Sequence, residues 1–419
     1  MKIFAFILCL SIVFGGITPG SGYADETKNR AEIAVISDIH LGVDDSFAEI
    51  NENKDALLRF LQGIRVSETI AELVIAGDLI DQWFLPMQYE MPGSLPEFND
   101  LLAQNNQAIF DEINGIIAER KIKVTYVPGN HDINFDEEEA ERLFPGINQA
   151  RDARGLGTYI AGSGDIAIEH GHRYNIFVAP DPLSNRDILS DEHSILPCGY
   201  FFTRIATSSV IDGKPKTDNV FAEVSPRTDD AVQMAYYSLF KVWESLMTSF
   251  PVSESFDDKV IRTNIDGYFG LYAINDFIPF QTGSGDISVN LYDGIVENWF
   301  ERQAVNLVQA PTKAQEAIIG AASNEYSDSL AGTQYFDLDP TVKLLVFGHT
   351  HEAKIVKMTN LDGKDVLYAN SGTWLDHWYE FPVRTYLVID PSGSEITVAL
   401  HQIAYDGTAI KLAEETIIK

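Results

Sequence analysis

Short apolar runs, each ending abruptly in polar residues, set the pattern of the chain. Such runs occupy residues 33–36, 73–76, 124–127 and 166–168, and a fifth follows at 344–347. Their length, their β-branched content and the turn residues after them predict buried β-strands. The polar residues that follow each run therefore lie just past the end of a strand.

Two helical stripes separate the first three predicted strands. Their apolar residues recur every three or four positions: Ala56, Leu57, Phe60, Leu61 and Ile64 in the first stripe, and Leu101, Leu102, Ile109, Ile113, Ile116 and Ile117 in the second. Strands that alternate with helices imply parallel pairing through right-handed crossovers. We therefore predict an α/β fold whose polar residues gather at the carboxyl ends of the strands, where open α/β sheets bind ligands.

The last part of the chain has a different pattern. Residues 354–358, 366–369, 385–389 and 396–401 alternate or run apolar between Gly, Asn, Asp and Pro. Such segments are typical of successive antiparallel strands, so the predicted sheet is mixed.

Between residues 173 and 335 the strand pattern loosens. Helical segments are expected at 229–250 and at about 296–322. We interpret 173–335 as a large insertion that caps the site, between core parts at 25–172 and 336–419. One stripe in the insertion is expected to be core packing rather than a groove that contacts lipid: Val232, Ala235, Leu239, Val242, Trp243 and Leu246.

The first 24 residues resemble a secretory signal peptide. Lys2 precedes an apolar run at 3–14, and small residues Gly22 and Ala24 stand before Asp25. We therefore expect export, to the periplasm or out of the cell, and an uncleaved membrane anchor is the alternative.

Composition and charge narrow the possible partners. The chain has 419 residues, 45% of them hydrophobic and 22% charged, and a formal net charge of −32. A surface this acidic repels polyanions, so nucleic acid as a polymer is not an expected partner. A phosphate-bearing substrate would need local cations.

Five short segments carry the side chains that bind such cations. They are Asp38-Ile-His40, Gly77-Asp78-Leu-Ile-Asp81, Gly129-Asn130-His131-Asp132, His170-Gly-His172 and Gly348-His349-Thr-His351. Imidazole nitrogens with carboxylate or amide oxygens suit Mn, Fe, Zn or Co, and the lack of thiolates argues against a structural zinc site. Two divalent ions held close together need a bridging carboxylate, and Asp78 is the candidate.

In this order, the five segments resemble the calcineurin-like metallophosphoesterase superfamily. The resemblance covers residues 32–173 and 342–389 but not the insertion. It implies a four-layered αββα sandwich with two mixed β-sheets. It also implies two metal-binding sets, one of Asp38, His40, Asp78 and His351 and one of Asp78, Asn130, His170 and His349.

The resemblance also implies roles around the metals. His131 would protonate the leaving group, and Asp81 would orient His131. His172 could contact phosphate, orient the metal ligands without binding metal itself, or take the place of His170 as a ligand. The expected function is hydrolysis of phosphomonoesters or phosphodiesters by attack of a metal-activated water.

Two alternatives stay open. Residues 37–41 and 77–83 are similar to the branch that cleaves UDP-diacylglucosamine, which favours a lipid-diphosphate pyrophosphatase, although that branch carries Arg where His131 stands. The other alternative is a non-catalytic metal-binding scaffold whose insertion binds a partner. Contact between the insertion and a membrane would accompany the lipid alternative.

Overall fold

A computed structural model describes residues 30–152, 156–321 and 323–419 of the chain. The predicted signal peptide at 1–24 lies outside these residues. The strands within them are β1 (Glu32–Ile36), β2 (Ile70–Ala76), β3 (Lys123–Val127), β4 (Asn148–Gln149), β5 (Thr158–Ala161), β6 (Ile166–Glu169), β7 (Lys259–Ile265), β8 (Tyr268–Ala273), β9 (Phe280–Gln281), β10 (Ile287–Ser288), β11 (Leu344–Phe347), β12 (Lys354–Thr359), β13 (Asp365–Asn370), β14 (Thr385–Asp390), β15 (Glu395–Ile403) and β16 (Ala409–Ile418). The α-helices are α1 (Lys54–Val66), α2 (Leu95–Asn105), α3 (Gln107–Glu119), α4 (Glu137–Leu143), α5 (Gly199–Ile211), α6 (Ala231–Ser249), α7 (Trp299–Val305), α8 (Ala314–Gly320) and α9 (Asn324–Ala331).

The first large sheet has seven strands in the order β16-β15-β14-β1-β2-β3-β4. Strands β1 to β4 pair in parallel, as the alternation of strands and helices predicts. Strands β14, β15 and β16 continue the sheet in antiparallel pairs from β1 outward. The sheet is therefore mixed because βαβ crossovers build one half and consecutive hairpins build the other.

The second sheet has five strands in the order β12-β13-β11-β6-β5. Its central strand, β11, runs parallel to both β6 and β13, and the two edge strands β12 and β5 run antiparallel to their neighbours. Strands β6 and β11 lie side by side although about 170 residues of chain separate them, so the intervening segment leaves the sheet and returns to it.

The two sheets pack face to face through buried aliphatic side chains. Val35 and Val74 of the seven-stranded sheet share a cluster with Ile168 and Val346 of the five-stranded sheet. The opposite face of each sheet is covered by a cluster that includes helical residues. The predicted α/β class with mixed sheets is confirmed, and this packing is compatible with the four-layered arrangement.

Two predicted helical segments are each divided in the structure. The second stripe is split at Asn106, which has φ −118° and whose side chain donates to the backbone oxygens of Gly42 and Leu102 at 2.8 Å. A side chain that bonds to nearby backbone competes with the helix ladder. The segment predicted at about 296–322 contains α7 and α8, and between them lie Leu307, which has φ 60°, and Pro311, neither of which continues a helix.

The helices of the insertion do not have a core of their own. Trp243 of α6 and Trp299 of α7 belong to the same buried cluster as Phe60 of α1 and Phe98 of α2. The helix predicted at 229–250 is confirmed, although Val232 of its stripe is 37% exposed. In the described residues, no helix combines the length and the apolar character needed to cross a membrane.

Candidate metal centre

The residues singled out in the sequence lie just beyond the ends of five strands. Asp38, Asp78 and Asn130 follow β1, β2 and β3, while His170 follows β6 and His349 follows β11. These strands are parallel within each sheet, so their carboxyl ends meet along one edge of the sandwich.

The backbone turns sharply where these strands end. Non-glycine residues with positive φ are uncommon in proteins, and five of them are candidate ligands: Asp38 (52°), His40 (53°), Asp78 (53°), His349 (68°) and His351 (62°). Strained backbone of this kind concentrates at functional sites, because the surrounding structure must hold it in place.

One group of potential ligand atoms is formed by Asp38, His40 and His351. The His351 Nε2 atom lies 3.1 Å from Asp38 Oδ1 and 3.3 Å from His40 Nε2. All three side chains offer atoms within 4.8 Å of one another, which is the spacing of ligands around a single ion.

A second group contains Asp38, Asp78 and His170. The Asp78 Oδ2 atom lies 3.2 Å from His170 Nε2 and 3.6 Å from His40 Nε2, so it stands between the two groups. The Asn130 Oδ1 atom lies 3.1 Å from His170 Nε2 and adds an amide oxygen to the potential ligand atoms of this group. Asp78 occupies the position that a shared carboxylate requires.

His349 is close to the second group but is not one of its three members. Its ring centroid lies 5.3 Å from that of His170, and its backbone N–H donates to both Asp38 carboxylate oxygens at 3.0 Å. Burial, together with the neighbouring His170, lowers the pKa of His349 to about 3, which keeps the imidazole neutral as a metal ligand requires.

The orientation of His170 is set by the backbone of β2. Its Nδ1 atom lies 2.9 Å from the carbonyl oxygen of Ala76, so Nδ1–H donates and Nε2 faces Asp78 and Asn130. Gly77 makes this contact possible, because a Cβ atom there would lie 2.4 Å from His170 Nδ1. The turn after β2 therefore places two candidate ligands at once.

Replacing Gly77 with Ala is expected to destabilise the fold and weaken metal binding. The matched control is Gly213→Ala, because Gly213 also has positive φ (69°) but has no atom within 4 Å of an added Cβ. Both variants carry backbone strain of about 1 kcal/mol, and only Gly77→Ala adds a collision with His170. We expect urea unfolding to show at least about 2 kcal/mol more loss for Gly77→Ala. Equal losses would contradict the role assigned to Gly77.

His131 and Asp81 form a pair beside the first group. The Asp81 Oδ1 atom accepts from His131 Nδ1 at 2.9 Å and from the backbone N–H groups of Trp83 and Phe84, while Oδ2 lies 3.1 Å from His40 Nδ1. The His131 ring stacks on Trp83. Burial on its own would lower the pKa of His131, but the charge of Asp81 raises it above its usual value.

His172 is buried next to His170, with 5.3 Å between the ring centroids. Neither of its ring nitrogens has a hydrogen-bond partner among the described residues. Burial lowers its pKa well below the usual value, and His170 and His349 lower it further, so the ring is neutral. The structure brings His170, and not His172, into the groups of potential ligands.

Two acidic residues that no sequence argument assigned also belong to this region. Glu49 Oε2 lies 4.0 Å from His40 Nδ1, and nothing in its sequence surroundings indicates this position. Asp132 accepts from the backbone N–H groups of Gly129 at 2.6 Å and Leu79 at 2.9 Å, and it thereby ties the turn after β3 to the turn after β2. The sequence could have indicated this role for Asp132, because it belongs to the Gly129–Asp132 segment that carries candidate ligands.

The electrostatics of the centre favour cations. Burial on its own would lower the pKa of both His40 and His170, but contacts with Asp81, Asp78 and Asp38 raise these values to about 10 and about 9, so the carboxylates draw a positive charge to these rings and a metal ion would replace the protons. His351 Nδ1 is buried and has no partner among the described residues, so Nε2 is the atom that faces Asp38. Carboxylates, imidazoles and one amide oxygen in this arrangement fit divalent transition metals.

A comparison with the sequence models of protein families agrees with this chemistry. Residues 31–213 match the sequence model of a family described as calcineurin-like phosphoesterase. No curated protein matches the sequence significantly.

Several solved structures resemble this chain with TM-scores of 0.30 or lower. They include Vps29 from Entamoeba histolytica with Zn²⁺ (12% identity, 92% of this chain, 98% of that chain, TM-score 0.29) and a predicted phosphoesterase from Streptococcus pneumoniae (10%, 93%, 98%, 0.30). A third is an NAD nucleotidase from Haemophilus influenzae (10%, 93%, 56%, 0.26).

Proposed function

We propose that this chain, which over residues 31–213 belongs to the calcineurin-like phosphoesterase family, hydrolyses phosphomonoesters or phosphodiesters with two divalent metal ions. The observation that carries the proposal is the position of Asp78, whose Oδ2 atom lies within 3.6 Å of imidazole nitrogens from both groups. A buried carboxylate surrounded in this way is suited to bridge two cations.

The chain offers a set of residues for each ion. Asp38, His40, Asp78 and His351 would hold one ion, and Asp78, Asn130, His170 and His349 would hold the other. When bound, two such ions supply a nucleophile at neutral pH and neutralise charge that develops on the phosphoryl oxygens. Mn, Fe, Zn and Co all suit these ligands.

His131 is the proposed general acid. Its Nδ1 atom is bonded to Asp81, so Nε2 is the atom left to donate a proton to the leaving group. Asp81 positions the ring and favours its protonated form, and its two backbone donors fix the carboxylate in turn. The proposed enzyme is exported, on the basis of the sequence pattern of residues 1–24.

Chelation is expected to abolish hydrolysis reversibly. Protein stripped of metal should not turn over p-nitrophenyl phosphate or its bis-ester, and addition of Mn²⁺ should restore activity to one or both. The ratio of the two rates would identify the monoester or the diester as the preferred substrate. Titration should reach full activity at two equivalents of metal, measured by elemental analysis.

The non-catalytic alternative leads to the opposite result in the same assay. A scaffold that keeps the ligands would bind metal and hydrolyse neither ester with any of the four metals. A lipid-diphosphate pyrophosphatase would hydrolyse neither simple ester but would cleave a diphosphate substrate such as UDP-diacylglucosamine.

A further inference from the structure

A short aromatic turn borders the metal centre and has no role in the chemistry described above. Residues 378–381, here called the aromatic turn, contain Trp378, Tyr379 and Phe381. The N–H of Phe381 donates to the carbonyl oxygen of Trp378 at 3.0 Å and closes the turn. The ring centroid of Trp378 lies 4.5 Å from that of His351, so the turn stands directly beside a candidate ligand.

The aromatic turn exposes apolar surface at a strained position. Tyr379 is 82% exposed and Phe381 is 40% exposed. Tyr379 has φ 42°, a conformation that a bulky residue adopts only when the surrounding structure enforces it. Its ring meets that of Trp378 edge to face, with 4.9 Å between the centroids and 77° between the planes, so the two aromatic side chains adjoin at the turn.

The segment before the turn is fixed to the metal centre by hydrogen bonds. The Asp376 carboxylate accepts from the backbone N–H groups of Asn51 and Asn53 at 3.0 Å, and the Asp376 N–H donates to the backbone carbonyl oxygen of Glu49. The N–H of Trp374 donates to the carbonyl oxygen of Asp38 at 3.0 Å. The aromatic turn is therefore held at a defined distance from Asp38, as a preorganised binding surface requires.

The charge beside the turn favours a neutral group. Glu380 is exposed within the turn itself, and the side chain of Glu49, 23% exposed, lies 4.0 Å from His40 Nδ1, so carboxylates here would repel a second anionic group of a ligand. An uncharged ring would not be repelled there.

We propose that the aromatic turn binds a planar ring system carried by the substrate, so that phosphate esters bearing an aryl group or a nucleobase are preferred. This inference rests on the proposed function, because the phosphoryl group must lie at the metal ligands for its substituent to reach Trp378. Stacking of a base on an aromatic side chain changes affinity by roughly tenfold or more when the side chain is replaced with Ala.

The test measures binding of two phosphonates, which are not hydrolysed, to the Mn²⁺-loaded protein by titration calorimetry. Wild type should bind phenylphosphonate about tenfold more tightly than methylphosphonate. Trp378→Ala should lose most of this preference through weaker binding of phenylphosphonate alone, and Trp378→Phe should keep it. Phe300→Ala is the control, because Phe300 is an exposed aromatic residue (68%) on α7.

A second pair of ligands distinguishes the two sources of the ring. AMP carries a base where ribose 5-phosphate carries the anomeric hydroxyl. Both are esters, so they are compared by the rate of phosphate release, and a preference for AMP that depends on Trp378 would identify nucleotides as the substrate class. A preference limited to phenylphosphonate would identify aryl phosphates instead.

Two outcomes would overturn the inference. The first is that wild type binds phenylphosphonate no more tightly than methylphosphonate, or that Trp378→Ala keeps the wild-type preference for phenylphosphonate. The other is an equal loss of affinity for both phosphonates together with loss of bound Mn²⁺, which would show that Trp378 only supports His351. If the protein binds ring-bearing phosphonates preferentially but hydrolyses no ester, the proposed hydrolytic activity is wrong and the proposed binding role of the aromatic turn still holds.

Discussion

Asp78→Asn is expected to abolish hydrolysis and to release bound metal. An amide oxygen carries no charge, so the substituted side chain cannot offset the repulsion between two adjacent divalent ions. Asp78 is 1% exposed, and its Oδ2 atom lies 3.2 Å from His170 and 3.6 Å from His40, so solvent does not reach the place of the lost carboxylate. We expect a decrease of roughly 10³-fold or more in kcat/KM for p-nitrophenyl phosphate with Mn²⁺.

Asp165→Asn is the matched control for this substitution. Asp165 is also a buried aspartate, but it stands immediately before β6, whereas His170 follows the same strand at its other end. The control should keep two equivalents of metal and wild-type activity. Asp78→Asn with wild-type metal content and activity would eliminate the proposed metal centre.

His131→Ala is expected to slow the hydrolysis of poor leaving groups far more than that of good ones. A general acid contributes about 10²- to 10⁴-fold when the leaving group must be protonated, and little when the departing anion is stable. The expected result is therefore a large loss for an alkyl phosphate and a small loss for p-nitrophenyl phosphate. Metal content should not change, because the role assigned to His131 is proton transfer and not metal binding.

The control for His131→Ala is His193→Ala, because the His193 side chain is 87% exposed and is not part of the metal centre. It should leave both rates unchanged. Equal losses of rate for the two leaving groups would show that His131 positions the substrate and does not donate a proton. Loss of metal would place His131 among the ligands, with Asp81 and His40 as its nearest partners.

Strand positions were well predicted because they depend on local sequence. Each run that predicted a core strand contains enough β-branched and apolar side chains to be buried on both faces, as at 73–76 and 344–347. Strand β16 was not predicted, because its residues are largely exposed and alternate without a strong apolar face. Hairpin β7–β8 was missed for a similar reason, since four residues of β8 are not buried.

Helix boundaries were less predictable than helix existence. The apolar stripe at 101–117 indicated a helix correctly, but the break at Asn106 depends partly on the carbonyl oxygen of Gly42, which lies 64 residues away in the chain. A periodic pattern carries no information about such a distant acceptor.

The sequence by itself determined the chemical inventory of the centre: which imidazoles, carboxylates and amide follow which strands, and in what order. Only the tertiary structure decided how close Asp78 lies to the imidazoles of both groups, that Glu49 borders them, and that the aromatic turn lies against His351. The physical reason is that strand and turn propensities act over a few neighbouring residues. Distances between strand ends, by contrast, depend on how two sheets pack across hundreds of residues of chain.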